Sequence, residues 1–416
     1  MSGANLRLAV GVEFVYLPRN VNNAPAASLA ESNSAPERFS GSFARIAGSL
    51  LLLAAAGIPL SLVWDFAWES TVGVDPVWSL PHTANYLAIG IGGFAALGLL
   101  LATSRARAAP AGGVRLGGLC APLGVWLVIW GAVAFVMAVW FDRWWQSSYG
   151  LGAGIWHPPQ ILKAVAFLVM EIGVWLFCVS RQNQASGRNN PRADGIFVAA
   201  GGWVLALITV FTLTSIYPNR QHSAAFYTTA CGAYPLVLVA LATAGKLRWP
   251  ATLASVVYLL ILSATVWILP LFPAAPQAAP IYNPLDHLMP PPFPLLLIFP
   301  ALGLDRMLRH FNWPAGRAQP WLQAVAAGLV FFLLFFMAQW VFAEFLLSDA
   351  ADNRFFCGGG KHWPFFLKIS PSARTVFWES PSDEMNLTNA VVAAGLAMAA
   401  SRLGLWLGTW MKRVRR

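Results

Sequence analysis

Long apolar stretches alternate with short polar ones along most of this chain. A helix needs about 20 predominantly apolar residues to cross the hydrocarbon core of a bilayer. Ten stretches qualify, near residues 46–64, 84–104, 121–141, 159–180, 196–215, 226–245, 250–271, 293–308, 321–346 and 389–411. The eighth is the shortest. It follows the run Met289-Pro290-Pro291-Pro292-Phe293-Pro294, which lacks most of its backbone donors and cannot continue a helix. That run is expected to be a rigid, extended lead into the span. The pattern predicts an all-α polytopic integral membrane protein of about ten transmembrane helices.

The segments between the spans carry a repeat. Residues 65–82 read DFAWESTVGVDPVWSLPH and residues 142–160 read DRWWQSSYGLGAGIWHPPQ, so Asp65, Trp68, Ser70 and Gly73 match Asp142, Trp145, Ser147 and Gly150. After a one-residue insertion Trp78 and Pro81 match Trp156 and Pro159. The next two loops share a weaker pattern, with Tyr217 five residues before His222 and Tyr282 five before His287. The first eight spans therefore read as four parallel helical-hairpin repeats around an axis along the membrane normal, and the last two as a terminal hairpin carrying a small outer cap. The Trp, Pro and Gly of these loops suggest short helices lying in the interface or dipping inward.

Five segments follow: a polar cytoplasmic tail (1–45), the eight-span bundle (46–308), a cytoplasmic loop with span nine (309–346), an outer-face cap (347–388), and span ten with a basic tail (389–416). The tail has no basic start followed by an apolar core, so no secretory signal is expected. Gly404 and Gly408, with Ala393 and Ala397 at similar spacing, give span ten a smooth face for close packing.

Composition agrees with the pattern. Hydrophobic residues make up 57% of the chain and charged residues 11%, against roughly 25% charged in a soluble protein. Disorder and an ordinary water-soluble enzyme are excluded. The 20 Trp and 27 Phe suit a chain that meets the membrane–water boundary repeatedly.

Charge sets the expected orientation. Of the 27 Lys and Arg residues, 19 fall in the tails and loops of one side, six on the other side and two within spans (Lys163 and Arg402). The positive-inside bias then puts both termini in the cytoplasm of a prokaryotic-type inner membrane. The net charge of +10 is explained by topology, and no nucleic-acid partner is expected. Partners expected are the lipid bilayer and either other membrane subunits or further copies of the chain. Ten of the 17 Asp and Glu residues lie on the outer side, where Glu69 and Asp75 add negative charge at a cavity entrance.

Candidate chemistry gathers on the same side. Four of the six histidines mark the four outer hairpin loops, one each: His82, His157, His222 and His287. Packed around one axis, they could meet beside Asp65, Asp142 and Asp286, and a His/carboxylate set suits copper, iron or zinc. Met289 offers a soft copper ligand. Glu171 and Arg402 sit at similar depth in spans four and ten, and an intramembrane ion pair between them is expected because buried charges are costly alone. Lys163 and Glu344 form a second, shallower pair or reach out to the interface. A Cys231–Cys357 bridge stays open.

There is no Walker A loop, dinucleotide glycine fingerprint or CxxCH haem attachment, so no nucleotide, flavin or c-type haem is expected. Three functional readings follow. The first is a membrane-embedded metal-binding protein with its site on the outer, periplasmic face, either an oxidoreductase-like enzyme or a metal-handling accessory. The second is a secondary transporter of a cation or small polar solute. The third is a non-catalytic subunit of a larger membrane complex.

Overall fold

The computed structural model describes residues 43–73, 76–105, 113–150, 157–184, 190–277, 285–310, 313, 316, 318–358 and 383–414. Helices dominate them: α1 (Phe43–Val72), α2 (Leu80–Arg105), α3 (Leu123–Tyr149), α4 (Pro158–Gln184), α5 (Pro191–Phe211), α6 (Ala224–Ala244), α7 (Pro250–Ile268), α8 (Ile298–His310), α9 (Gln319–Leu347) and α10 (Leu387–Met411). Nine of these, all except α8, are long and apolar enough to cross a membrane among the described residues. The chain is a multi-pass helical membrane protein.

The starts of several helices follow from local sequence. Asn190 accepts a hydrogen bond from the Ala193 N–H ahead of Pro191, which suits a first helical turn. Ser223 and Asn386 cap α6 and α10 in the same way, through the N–H groups of Phe226 and Asn389. The buried carboxylate of Asp305, on α8, accepts from the N–H groups of Ala251 and Thr252 and from the Thr252 hydroxyl, tying α8 to the start of α7.

Consecutive helices pair as α1–α2 and α3–α4, with α4 against α5 and α5 against α7. Helix α10 is not an appendage: it packs along α6 and also against α9. A Cβ on Gly404 would lie 2.6 Å from the Leu236 carbonyl, and one on Gly408 would lie 2.6 Å from the Thr243 Cβ. The small-residue face of α10 is what permits this approach.

Two expectations change, and two further features appear. The eighth span is not a single helix: α8 has only 13 residues, and Leu285–Leu297 ahead of it carries no helix. This stretch still runs between the two ends of the bundle. The Met289 N–H donates to Thr71 in the last turn of α1, while Asp305 meets the first turn of α7. Second, α1 and α3 continue well past the predicted spans, so Asp65, Trp68 and Ser70, like Asp142, Trp145 and Ser147, lie in helical final turns. Each helix then stops at a glycine of positive φ, Gly73 (75°) or Gly150 (89°), a conformation that needs no Cβ. The matched residues thus lie in helix endings rather than in interfacial loops. Third, residues 114–121 form a two-stranded hairpin, Val114–Leu116 with Leu119–Ala121, turning through Gly117 and Gly118 at φ 56° and 84°. Fourth, Cys231 and Cys357 are both free thiols.

The N-terminal tail, apart from residues 43–45, and residues 359–382 of the expected cap lie outside the described residues. The described start of that segment packs through Phe355 and Phe356 on Phe293, and the Phe355 carbonyl accepts from the Trp267 indole.

Candidate functional site

One end of the bundle, where α1 finishes and α2 begins, carries the predicted histidines. They do not converge on one centre. His82 Nε2 lies 3.4 Å from Asp65 Oδ1, its Nδ1 lies 3.2 Å from the Pro76 carbonyl oxygen, and its ring stacks on Tyr86. His222 Nε2 lies 3.2 Å from Glu344 Oε1, and the ring meets Trp340 edge-on with centroids 4.4 Å apart. His287 Nδ1 lies 2.7 Å from Asp286 Oδ1. The His157 ring stacks near Trp145 at 6.4 Å. Asp142 belongs to Lys163, whose Nζ donates to Oδ2 at 2.8 Å. The Lys163–Glu344 pairing is thereby replaced by two others.

Among the described residues no group of three or more His, Cys, Asp or Glu side chains is placed to hold a metal ion. Glu69 is exposed at the end of α1, and Asp75 lies outside the described residues. The histidine bond and charge hold the Asp286 carboxyl below its ordinary range.

At this end Tyr217, Leu285 and Met289 form a small buried apolar cluster apart from the main core, with Phe66 packed against it.

Glu171 and Arg402 are not brought together. Helix α4 packs on α1, α3 and α5, whereas α10 packs on α6 and α9. Glu171 is buried, and neither carboxyl oxygen has a hydrogen-bond partner. The Arg402 guanidinium lies over the Trp321 ring at 5.0 Å.

The polar centre that does assemble surrounds the eighth crossing. Extended backbone at membrane depth survives only where protein or water satisfies it. Prolines at 290, 291, 292 and 294 remove four donors from this stretch, and side chains from three helices take up others. The Met289 N–H donates to Thr71 Oγ1 at 2.8 Å, and the Thr71 hydroxyl donates onward to the Ala67 carbonyl. The Leu295 N–H donates to the Tyr258 hydroxyl at 3.0 Å, and the Leu296 N–H to Gln339 Oε1 at 2.9 Å. Two chains continue from there. Gln339 Nε2 donates to Gln221 Oε1, and Gln221 Nε2 donates to the Ile216 carbonyl, both at 2.6 Å. The Thr209 hydroxyl lies 2.8 Å from that of Tyr234 and 3.4 Å from that of Tyr258. All five side chains, Thr209, Gln221, Tyr234, Tyr258 and Gln339, are buried.

None of these five stood out in the sequence, because uncharged polar residues inside apolar runs are common. The available signal was the proline run, which had to have partners somewhere. At the opposite, basic end, a cavity of about 810 Å³ opens between the ends of α6, α8, α9 and α10.

No protein-family model, curated protein or solved structure matches the chain. Its own geometry defines its class, a multi-pass α-helical membrane protein. Among its described segments, the extended stretch 285–297 followed by the short helix α8 has a network of uncharged polar side chains around it.

Proposed function

We propose that the protein is a secondary transporter of a small polar solute, with the network around Leu295 and Leu296 as its central binding region. The observation that carries this reading is the discontinuous eighth crossing. Transporters build sites from interrupted segments near the bilayer midplane, where unwound backbone and side-chain donors can exchange partners with cargo. The network here holds amides and hydroxyls and no charge, which suits a neutral or zwitterionic solute better than a bare cation. The apolar cluster of Tyr217, Leu285 and Met289 at the histidine end suits a state closed on that side. The distribution of Lys and Arg supports putting the basic end and both termini in the cytoplasm, with the histidine pairs on the periplasmic face of a prokaryotic-type inner membrane.

The test is stopped-flow light scattering of proteoliposomes under gradients of glycerol, urea and glycine. We expect faster relaxation than in protein-free vesicles for at least one solute, and its loss in Gln339→Leu. Relaxation no faster than in protein-free vesicles for all three overturns the reading.

A metal site keeps one supporting observation, the three His–carboxylate pairs at the histidine end. It predicts near-stoichiometric copper, iron or zinc in the purified protein, lost in His82→Ala/His287→Ala; metal-free protein after gentle purification removes it.

A further inference from the structure

The cavity at the basic end has a one-sided charge. Lys246, Arg309, Arg402 and Lys412 line it, and no Asp or Glu does. The nearest carboxylates are committed elsewhere or lie to one side. Asp305 is buried as the cap of α7, and Asp194 acts on Lys246 through space from the first turn of α5. Four cations from three parts of the fold line one space; Asp305 acts on Arg309 and Asp194 on Lys246, while Lys412 feels the like charge of Arg309.

Two of the four are spoken for. Arg309 is locked by donating to the carbonyls of Ala242, Gly245 and Leu247, closing the end of α6. Lys246 donates to the Gln182 carbonyl. The other two keep donors available. Arg402 is held by the face of Trp321, and its Nε has no hydrogen-bond partner. Lys412 follows the last turn of α10, where burial and then the charge of Arg309 pull its pKa down. The first turn of α9, at Gln319 and Gln323, faces the same space and adds the positive end of a helix dipole.

We propose that this cavity binds a phosphate-type oxyanion, with Arg402 and Lys412 as its available donors and Lys246 and Arg309 adding to the positive field. A guanidinium presents paired donors that match phosphate oxygens, and an ammonium adds a compact point charge. The inference does not depend on the transport reading or on which face is cytoplasmic.

The shape favours a lipid headgroup over a soluble anion. Arg402 lies nine residues before Met411, about 14 Å along the helix axis, so the cavity spans from within the membrane to its boundary. Trp406 lines it and is 62% exposed on the outside of the bundle, so the cavity reaches the acyl-chain region. Basic pockets between transmembrane helices at a membrane surface bind anionic headgroups.

The experiment uses the full chain in neutral detergent. Unfolding temperature and native mass spectra are recorded with phosphatidylglycerol, phosphatidylcholine or inorganic phosphate. We expect phosphatidylglycerol to stabilise the protein and be retained, phosphatidylcholine to do neither, and Arg402→Gln/Lys412→Gln to weaken phosphatidylglycerol binding at least five-fold. Arg143→Gln, at the far end of the bundle, leaves it unchanged. Protection by inorganic phosphate alone, equal to that by the lipid, keeps the oxyanion site and assigns it to a soluble anion. Equal retention of both lipids with no effect of phosphate overturns the proposal, as does undiminished phosphatidylglycerol binding in a folded double variant. Should that variant not fold, the wild-type preference between the two lipids decides alone.

Discussion

A ring nitrogen near a membrane boundary must find a partner or face water, and three histidines of this chain find carboxylates. The pairs His82–Asp65 and His287–Asp286 use residues that the sequence singles out, because each sits at a helix end or loop beside its partner. The pair His222–Glu344 was not legible, since 122 positions separate the two and only packing of α9 brings them together. The same limit explains Glu171 and Arg402: equal depth does not fix which side of a bundle a helix occupies, and α4 and α10 have different neighbours. The Asp286 carboxyl gives a signed test. Its folded pKa lies below the ordinary value of roughly 3.9. Its interaction with His287 therefore stabilises fully above that value and is lost as pH falls through the lower folded one. The difference in unfolding temperature between wild type and Asp286→Asn should be present at about pH 5 and vanish in stronger acid, below the ordinary carboxyl range. Because Asp286 is fully exposed, the difference should be small. A difference that grows as pH falls below about 5 contradicts this.

An element that cannot be helical shows how a membrane fold treats backbone. The proline run made an extended lead into the eighth span legible, since four prolines in six positions leave few donors and no helix. The extent of the break was not legible: the unwound stretch reaches Leu297, beyond the run, because Tyr258 and Gln339 meet the next two N–H groups. Those partners lie 37 and 43 residues away in sequence, too far for local pattern to reveal. Removing either orphans a buried donor, at about 1–3 kcal/mol per group. Gln339→Leu strands both the Leu296 N–H and Gln221 Oε1, so it should destabilise more than Tyr258→Phe, which strands the Leu295 N–H. Denaturation in mixed micelles checks the order; equal and negligible losses would mean that water already serves these groups. The ends of α1 and α3 depart from the expectation for a different reason. Asp, Trp and Ser are usual in interfacial loops, yet here they precede a glycine that terminates a helix.

At the scale of the whole molecule, the multi-pass helical character came from hydropathy, which marked ten apolar stretches where nine described helices are long and apolar enough to cross a membrane. The arrangement of the hairpins did not. Helix α10 lies along α6 because Gly404 and Gly408 let it approach backbone to backbone, a fit visible only once both surfaces exist. The basic cavity is likewise a product of assembly, drawing on α6, α8, α9 and α10. These parts are a small apolar cluster of Tyr217, Leu285 and Met289 at one end, a basic cavity at the other, and the extended stretch before α8. A transporter with this build must expose the interrupted segment alternately to both sides. Leu296→Cys, in a background with Cys120, Cys178, Cys231 and Cys357 replaced by alanine, reports on that directly when a membrane-impermeant maleimide is applied to sealed, oriented vesicles from each side in turn. Labelling from both sides, slowed by Tyr217 and Met289 staying in place and accelerated in Met289→Ala from the histidine side, is the predicted result. A thiol that reacts from one side only, or from neither, contradicts transport through this segment.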